Sequence, residues 1–278
     1  HHSCRIIAQC QAGALPRAFA HLTAKTAVNA AIAIVFPDLE LGLQYANISE
    51  HGTLPLLHSL QYHTPILFQK KDKIVNIVII KTPHIPNVGK RYSVDEVMKE
   101  VLKYKNYYDG ITVSGGEPTL QPEFVTELFK KAKENGLSTC LDTSGYVDLN
   151  IITPILEYTD LVILDIKHID EEKCIWLIGR SNKKALTLAK YLDEHEIPMW
   201  IRHVLVPGIT DDKESLEELA KFVKSLNNVE KLELLPYHTM GVYKWKELGL
   251  KYPLEGIKDC TLEQQERANE IINNILMR

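Results

Sequence analysis

From about Arg91 onward, short β-branched runs alternate with amphipathic stretches, and this alternation constrains the fold more than any other feature. The predicted strands cover 111–113, 138–142, 161–166, 198–206 and 232–235. The predicted helices cover 94–107, 121–135, 151–158, 183–194, 212–226 and 261–277. Strands separated by helices indicate βαβ units and a parallel sheet. The repeat predicts an α/β protein with a full or partial (β/α) barrel, in which chemistry gathers where the strands end.

Composition narrows the classes of function. The net charge of -4 gives no electrostatic case for nucleic-acid binding. No apolar run reaches the length of a membrane span, so we expect no membrane contact. The five cysteines, which form no C-x-x-C pair, argue against a disulfide framework or a zinc site and favour a reducing cytoplasm.

Residues 1–90 are less regular than the rest of the chain. Helix and strand signals conflict in the Ala-rich part of this segment. One β-branched run, 74–80, is closed by Lys81, Thr82 and Pro83, and it predicts a buried strand that ends in a loop.

Polar groups of the kind that bind ligands stand where each predicted strand of the second part ends. The segments are Ser114–Pro118, Asp142–Gly145, Asp165–His168, 202–208 and Pro236–His238. Taken singly, each has a structural explanation: Asp142 could cap a helix, Lys167 could extend to solvent, and His203 could be a satisfied core histidine. Taken together, they predict a polar ligand at the barrel mouth. Glu117 suits a cationic amino group, and Lys167 or Arg202 suits a carboxylate, which points to an amino-acid-like ligand.

Five stretches closely resemble the pyruvate formate-lyase activating enzymes, a family of radical S-adenosylmethionine (SAM) enzymes. They are "GITVSGGEPTLQPEF", "STCLDTSGYV", "DLVILDIKHID", "MWIRHVLVPGITDD" and "KLELLPYHTMGVYKWKELGLKYPLEGIK". The resemblance spans about 88–278 and leaves 1–87 as a separate N-terminal segment of uncertain fold. It implies a partial (β/α)6 barrel and a 4Fe–4S cluster that reductively cleaves SAM. The resulting radical abstracts hydrogen from a backbone glycine of pyruvate formate-lyase.

Residue roles follow from the resemblance position by position. The implied SAM contacts are Gly115, Gly116, Glu117, Asp165, Lys167, Arg202, Val204 and His238. Within this set, the Gly-Gly-Glu segment receives the amino group of SAM. The resemblance also implies a monovalent cation site beside SAM, made of Asp142, Thr143, Asp165 and the Ile163 carbonyl, and hard oxygen ligands suit such an ion. It assigns no catalytic residue.

The sequence departs from the family at its defining motif, C-x-x-x-C-x-x-C followed by His-Asn. No such motif is present, and the spacing of Cys4 and Cys10 does not match it. The sequence therefore provides no iron–sulfur ligands in the family pattern.

Regrouping the codons of 74–83, starting at the third base of the Ile74 codon, can spell Cys-Lys-Tyr-Cys-His-Asn-Gln-Asp-Thr. This is the family's C-x-x-C-H-N-x-D-T segment one frame away. The hypothesis is that the reading frame slipped upstream of about residue 88. No frame of the codons for 69–73 supplies the first cysteine, so the hypothesis requires a second lesion.

The sequence leaves three functions open. The first is an activating enzyme that acts on pyruvate formate-lyase. It is expected to be a cytoplasmic monomer that uses a reductant such as flavodoxin or ferredoxin. Without its cluster motif, the chain as given is expected to be inactive. The second is a non-catalytic SAM- or partner-binding protein of the same family. The third is an unrelated barrel enzyme that uses Gly115 and Gly116 to bind a phosphate.

Overall fold

The computed structural model describes the backbone of residues 29–34 and 72–78, and residues 92–114, 117–243 and 251–277. Its strands form one seven-stranded sheet whose spatial order equals the chain order, and each neighbouring pair is parallel. They are β1 (Asn29–Ile34), β2 (Asp72–Val78), β3 (Gly110–Ser114), β4 (Ser138–Thr143), β5 (Leu161–Asp165), β6 (Met199–Leu205) and β7 (Val229–Pro236). Because every strand runs in the same direction, all the carboxyl ends lie at one edge, which is the mouth of a partial barrel.

Seven α-helices accompany the strands in the described ranges. They are α1 (Val94–Leu102), α2 (Pro122–Glu134), α3 (Leu149–Leu156), α4 (Glu171–Ile178), α5 (Lys183–Glu194), α6 (Lys213–Lys224) and α7 (Leu262–Leu276). None of them has the length and apolar character that crossing a lipid bilayer requires.

Helix starts follow local chemistry. Ser93 caps α1 through a reciprocal arrangement with Glu96, in which the Ser93 amide donates to Glu96 Oε2 (2.7 Å) and the Glu96 amide donates to Ser93 Oγ (3.3 Å). Asp212 Oδ1 accepts the Ser215 amide at the start of α6 (3.0 Å). Side-chain caps at Ser93, Asp212 and Thr261 mark the starts of α1, α6 and α7, and these three helices begin within one residue of their predicted starts.

Three elements within residues 92–277 depart from the prediction by more than two residues. The helix predicted over 94–107 ends at Leu102 and is followed by a separate 3₁₀ turn, Lys105–Tyr107. Helix α4 was not predicted, although Asp170 caps its start and Gly179 ends it in the left-handed conformation. Strand β7 extends the predicted 232–235 to Val229–Pro236.

The N-terminal part contributes two strands to the sheet. The strand predicted over 74–80 is confirmed over 74–78 as part of β2, with Ile79 and Ile80 outside the described residues, and β2 pairs with β1 on one side and β3 on the other. Strand β1 lies in the Ala-rich part, where the sequence signals conflict. The rest of the segment 1–87 lies outside the described residues.

The core lies between the sheet and its helices. Along β6, buried and half-buried residues alternate, so Met199 and Ile201 face the helices while Trp200, Arg202 and Val204 face the opposite side. Strands β3, β4 and β5 bury nearly every residue on both faces, because the barrel interior covers their inner side as the helices cover their outer side. This arrangement places polar inner-face side chains in a nearly dry interior close to the mouth.

Candidate functional site at the barrel mouth

One guanidinium links three strands at the mouth. Arg202 Nε donates to Asp165 Oδ1 (2.8 Å), and Arg202 Nη2 donates to Asp142 Oδ1. The three side chains come from β6, β5 and β4, and their exposed fractions are only 12%, 5% and 10%. Asp142 therefore does not cap a helix, since its carboxylate lies in a buried ion pair.

The second oxygen, Oδ2, of each carboxylate also accepts a hydrogen bond. Ser114 Oγ donates to Asp142 Oδ2 (3.0 Å), and Lys167 Nζ donates to Asp165 Oδ2 (2.9 Å). Lys167 is 6% exposed, so it does not extend to solvent. Two carboxylates and two cations thus form a charge-balanced buried set, which we call the mouth ion set (Asp142, Asp165, Lys167 and Arg202).

Burial and charge act in opposite directions on the two acids. Desolvation raises the pKa of Asp165, but the Arg202 guanidinium and the Lys167 ammonium outweigh it and bring that pKa to about 2. For Asp142 desolvation prevails over the attraction of Arg202, and the pKa is raised above its usual range. The two acids differ because Asp165 contacts two cations and Asp142 only one.

A third carboxylate, that of Glu117, joins the ends of β3 and β4. Its Oε1 accepts the hydroxyls of Thr119 (2.8 Å) and Thr143 (2.6 Å), and the more distant Thr119 amide (3.3 Å). Its Oε2 accepts the amide (2.9 Å) and the hydroxyl (2.5 Å) of Ser144. We call these three donor residues the Glu117 cradle.

Two buried histidines lie behind the mouth. His203 places Nδ1 2.8 Å from the Ile166 carbonyl oxygen and Nε2 3.1 Å from the Thr210 carbonyl oxygen, which confirms the prediction of a satisfied core histidine. His168 Nδ1 accepts the Asp170 amide (3.1 Å). Burial, reinforced by the nearby His203 and Lys173, lowers the pKa of His168 to about 4. His168 braces the loop after β5, which carries Lys167, and His203, next to Arg202 on β6, joins that loop to the loop after β6.

The remaining predicted site residues lie on β5, on β6 and just after β7. Val204 is half-buried on β6, two residues beyond Arg202, and Ile163 pairs in register with Asp142. His238 follows Tyr237, whose hydroxyl bonds the Tyr252 hydroxyl (2.7 Å). The predicted contacts Gly115 and Gly116 lie outside the described residues.

The structure adds residues that the sequence did not assign. Ser114, Thr119 and Ser144 each donate to an acidic side chain of the mouth. Ser114 and Ser144 stand in segments already noted at strand ends, but which acid they contact depends on neighbouring strands.

The described residues do not fit an iron–sulfur cluster. Their cysteines, Cys140, Cys174 and Cys260, lie on separate elements, and burial raises the thiol pKa of Cys140 to about 12 and of Cys174 to about 11. A cluster needs several thiolates in one place. Within these ranges, no group of three or more His, Cys, Asp or Glu side chains is placed to hold a metal ion.

Comparison with known proteins supplies a family context. A sequence model of the Radical SAM superfamily matches residues 73–223. The "Pyruvate formate-lyase-activating enzyme" of Staphylococcus epidermidis is 48% identical over 198 residues, which cover 66% of this chain and 78% of that protein. The protein of the same name from Staphylococcus aureus is 46% identical over 199 residues, covering 68% and 79%.

Solved structures share the fold. A domain of a pyruvate-formate lyase-activating enzyme from Bacteroides vulgatus is 24% identical with a TM-score of 0.51, covering 60% of this chain and 94% of that one. Streptococcus suis SuiB bound to precursor peptide SuiA is 19% identical with a TM-score of 0.55, covering 69% of this chain and 42% of that one.

Proposed function

We propose that this chain, which belongs to the radical SAM superfamily and within it to the pyruvate formate-lyase-activating enzymes, binds SAM at the barrel mouth, and that with a complete cluster motif it would form the glycyl radical of pyruvate formate-lyase. Family membership excludes the third alternative, an unrelated barrel that binds a phosphate.

The mouth ion set is the observation that carries the proposal. The amino-acid end of SAM has one carboxylate and one ammonium group. Lys167 and Arg202 are the cations available to the carboxylate, and Glu117 is the nearby acid available to the ammonium group. Groups held this firmly in a nearly dry site orient a ligand at little further entropic cost.

The other proposed contacts complete the pocket. Gly115 and Gly116 would offer backbone to the amino group, while Val204 and His238 would line the remainder. A monovalent cation would be held by Asp142, Thr143, Asp165 and the Ile163 carbonyl. The acidic oxygens also accept donors from Arg202 and Lys167, so the cation would share these oxygens with them.

The superfamily implies a 4Fe–4S cluster as well as SAM, and such a cluster would supply the electron that cleaves SAM. The described residues do not fit it, and the sequence lacks the family motif. The frame-slip hypothesis remains our explanation. Resequencing the gene tests it, and an intact read of codons 74–83 with no frame that restores the motif would refute it.

The proposed function is tested by anaerobic reconstitution of the full chain with iron and sulfide. We expect SAM binding by calorimetry, without the visible absorbance of a cluster and without SAM cleavage. Robust SAM cleavage by the printed chain would contradict our account of the missing ligands, and absence of SAM binding would contradict the proposed site.

A second candidate, a non-catalytic SAM- or partner-binding protein, is favoured by one observation, the missing cysteine motif. Restoring Cys-x-x-x-Cys-x-x-Cys by gene repair separates the two, because only an activating enzyme then gains SAM cleavage.

We further propose that the protein acts as a cytoplasmic monomer with a flavodoxin- or ferredoxin-type reductant.

A further inference from the structure

We propose that Ser144 is a positioning residue for Glu117, and that through Glu117 it sets the affinity of the site for the amino group of SAM. The inference rests on the proposed function, since it concerns the same ligand. It begins from the Glu117 cradle, in which Ser144 supplies both donors to one carboxylate oxygen.

Ser144 holds Glu117 Oε2 by its amide (2.9 Å) and by its hydroxyl (2.5 Å). The two buried threonines, Thr119 and Thr143, hold the other oxygen, Oε1. Four close donors and the longer Thr119 amide (3.3 Å) therefore surround this carboxylate and fix its orientation, and a charged amino group would share an oxygen with one of them. The threonines hold only Oε1. The carboxylate could therefore still turn about Oε1, and Ser144 is the residue that keeps Oε2 in place.

The hydroxyl of Ser144 is itself oriented. The Tyr146 amide points toward Ser144 Oγ (3.5 Å), and this places an acceptor lone pair of the hydroxyl toward the amide. The hydroxyl hydrogen is then directed to Glu117.

The turn that presents Ser144 is also fixed. The Gly145 amide donates to Thr143 Oγ1 (3.0 Å), and Gly145 has a left-handed φ of +69°. A Cβ at this glycine would lie 3.0 Å from the Ala185 Cα, so α5 packs directly against the turn. Ser144 is thus held by packing, while its side chain is half-buried beside the mouth.

The test is equilibrium binding of two ligands to the full chain by calorimetry, which requires no cluster. The ligands are SAM and its deaminated analogue, which keeps the carboxylate, the sulfonium and the adenosine. For Ser144→Ala we expect about tenfold weaker binding of SAM, the effect of one hydrogen bond to a charged group. The analogue should lose less than about twofold, because it has no amino group for Glu117 to meet.

Conservative and control variants separate positioning from general damage. Ser144→Thr keeps the hydroxyl and should restore SAM binding to within about threefold of the unaltered chain. Ser181→Ala, which removes a serine hydroxyl from the Glu171 carboxylate (2.8 Å) outside the mouth, should leave both affinities unchanged. Adding Ser144→Ala to Glu117→Gln should cause no further loss that is specific to the amino group, since Ser144 acts through Glu117.

The outcomes are distinguishable. A loss confined to SAM and restored by threonine supports the inference. Equal losses for both ligands, no loss, or an additive loss in the Glu117→Gln background overturn the inference and leave the proposed SAM site standing. Failure of the unaltered chain to bind either ligand overturns the proposed function and the inference together.

Discussion

Replacing Arg202 by methionine tests whether the mouth ion set holds the barrel together. The substitution keeps much of the side-chain volume and removes the guanidinium that spans β4, β5 and β6. Two nearly buried carboxylates, Asp142 and Asp165, are then left with Lys167 as their remaining cation. Breaking a buried ion pair from one side costs about 3–5 kcal/mol, because the opposite charge stays desolvated. We expect a loss of that size in the free energy of unfolding at pH 7.

The loss should depend on pH in a direction set by Asp165. Its pKa of about 2 in the folded state lies below the unfolded value of about 4. A depressed carboxyl pKa contributes stability that is present above about pH 4 and is lost as the pH falls toward 2. Arg202→Met removes most of this contribution, so the unaltered and variant stabilities should converge as the pH falls through that window.

The assay is urea unfolding followed by circular dichroism at pH 7 and pH 3. Lys133→Met is the matched control, because Lys133 pairs with Asp160 at the surface, where the side chains are 41% and 42% exposed. That variant should lose at most about 1 kcal/mol. Arg202→Lys should fall between the two, since a single ammonium cannot span both carboxylates. A loss in Arg202→Met below about 1 kcal/mol, or a loss equal at both pH values, refutes the reasoning.

Three further perturbations address the surrounding structure. Gly145→Ala should lower the free energy of unfolding by about 2–3 kcal/mol, because the residue has a left-handed φ and its new Cβ would meet the Ala185 backbone. Gly136 also has a left-handed φ but lies in open space, so Gly136→Ala should lose only about 1 kcal/mol in the same urea assay. His168 has a pKa of about 4 when folded and about 6.5 when unfolded, so its contribution is complete above pH 6.5 and declines toward pH 4. Between pH 7.5 and pH 5 this amounts to about 1–2 kcal/mol, and His168→Gln should remove that part of the pH dependence; an unchanged slope contradicts the assignment. Asp212→Ala should lose about 1–2 kcal/mol by thermal unfolding because α6 loses its N-cap, whereas Asp212→Asn should keep most of the stability.

Local signals were sufficient for much of the fold. Helix α5 has the predicted bounds, since its apolar residues recur with helical spacing over the full length. Strand β7 was predicted to begin too late because Glu230 and Lys231 interrupt the apolar pattern before Leu232. Helix α4 was missed because its apolar residues do not keep to one face, since Ile175 and Trp176 are exposed while Cys174 and Leu177 are buried, even though both of its ends carry capping residues.

The candidate site, like the fold, was predicted only in part from the sequence. The sequence located the strand-end segments, and the family resemblance gave roles to Lys167, Arg202 and their neighbours. Neither indicated that Arg202 joins two acids, because the partners stand 37 and 60 residues away along the chain. The lysine expected to be able to extend to solvent is instead buried against Asp165.

The sequence by itself determined that this is a parallel α/β protein with polar groups at the strand ends, because strand and helix periodicity and capping act over a few residues. It also determined that the cluster motif is absent from the printed chain. Only the tertiary structure decided which charges meet. Pairing β4, β5 and β6 side by side brings Asp142, Asp165 and Arg202 within hydrogen-bonding distance, and the turn after β4 places Ser144 against Glu117. In a nearly dry mouth these contacts set the pKa values and the orientation of each group, which no local pattern along the chain encodes.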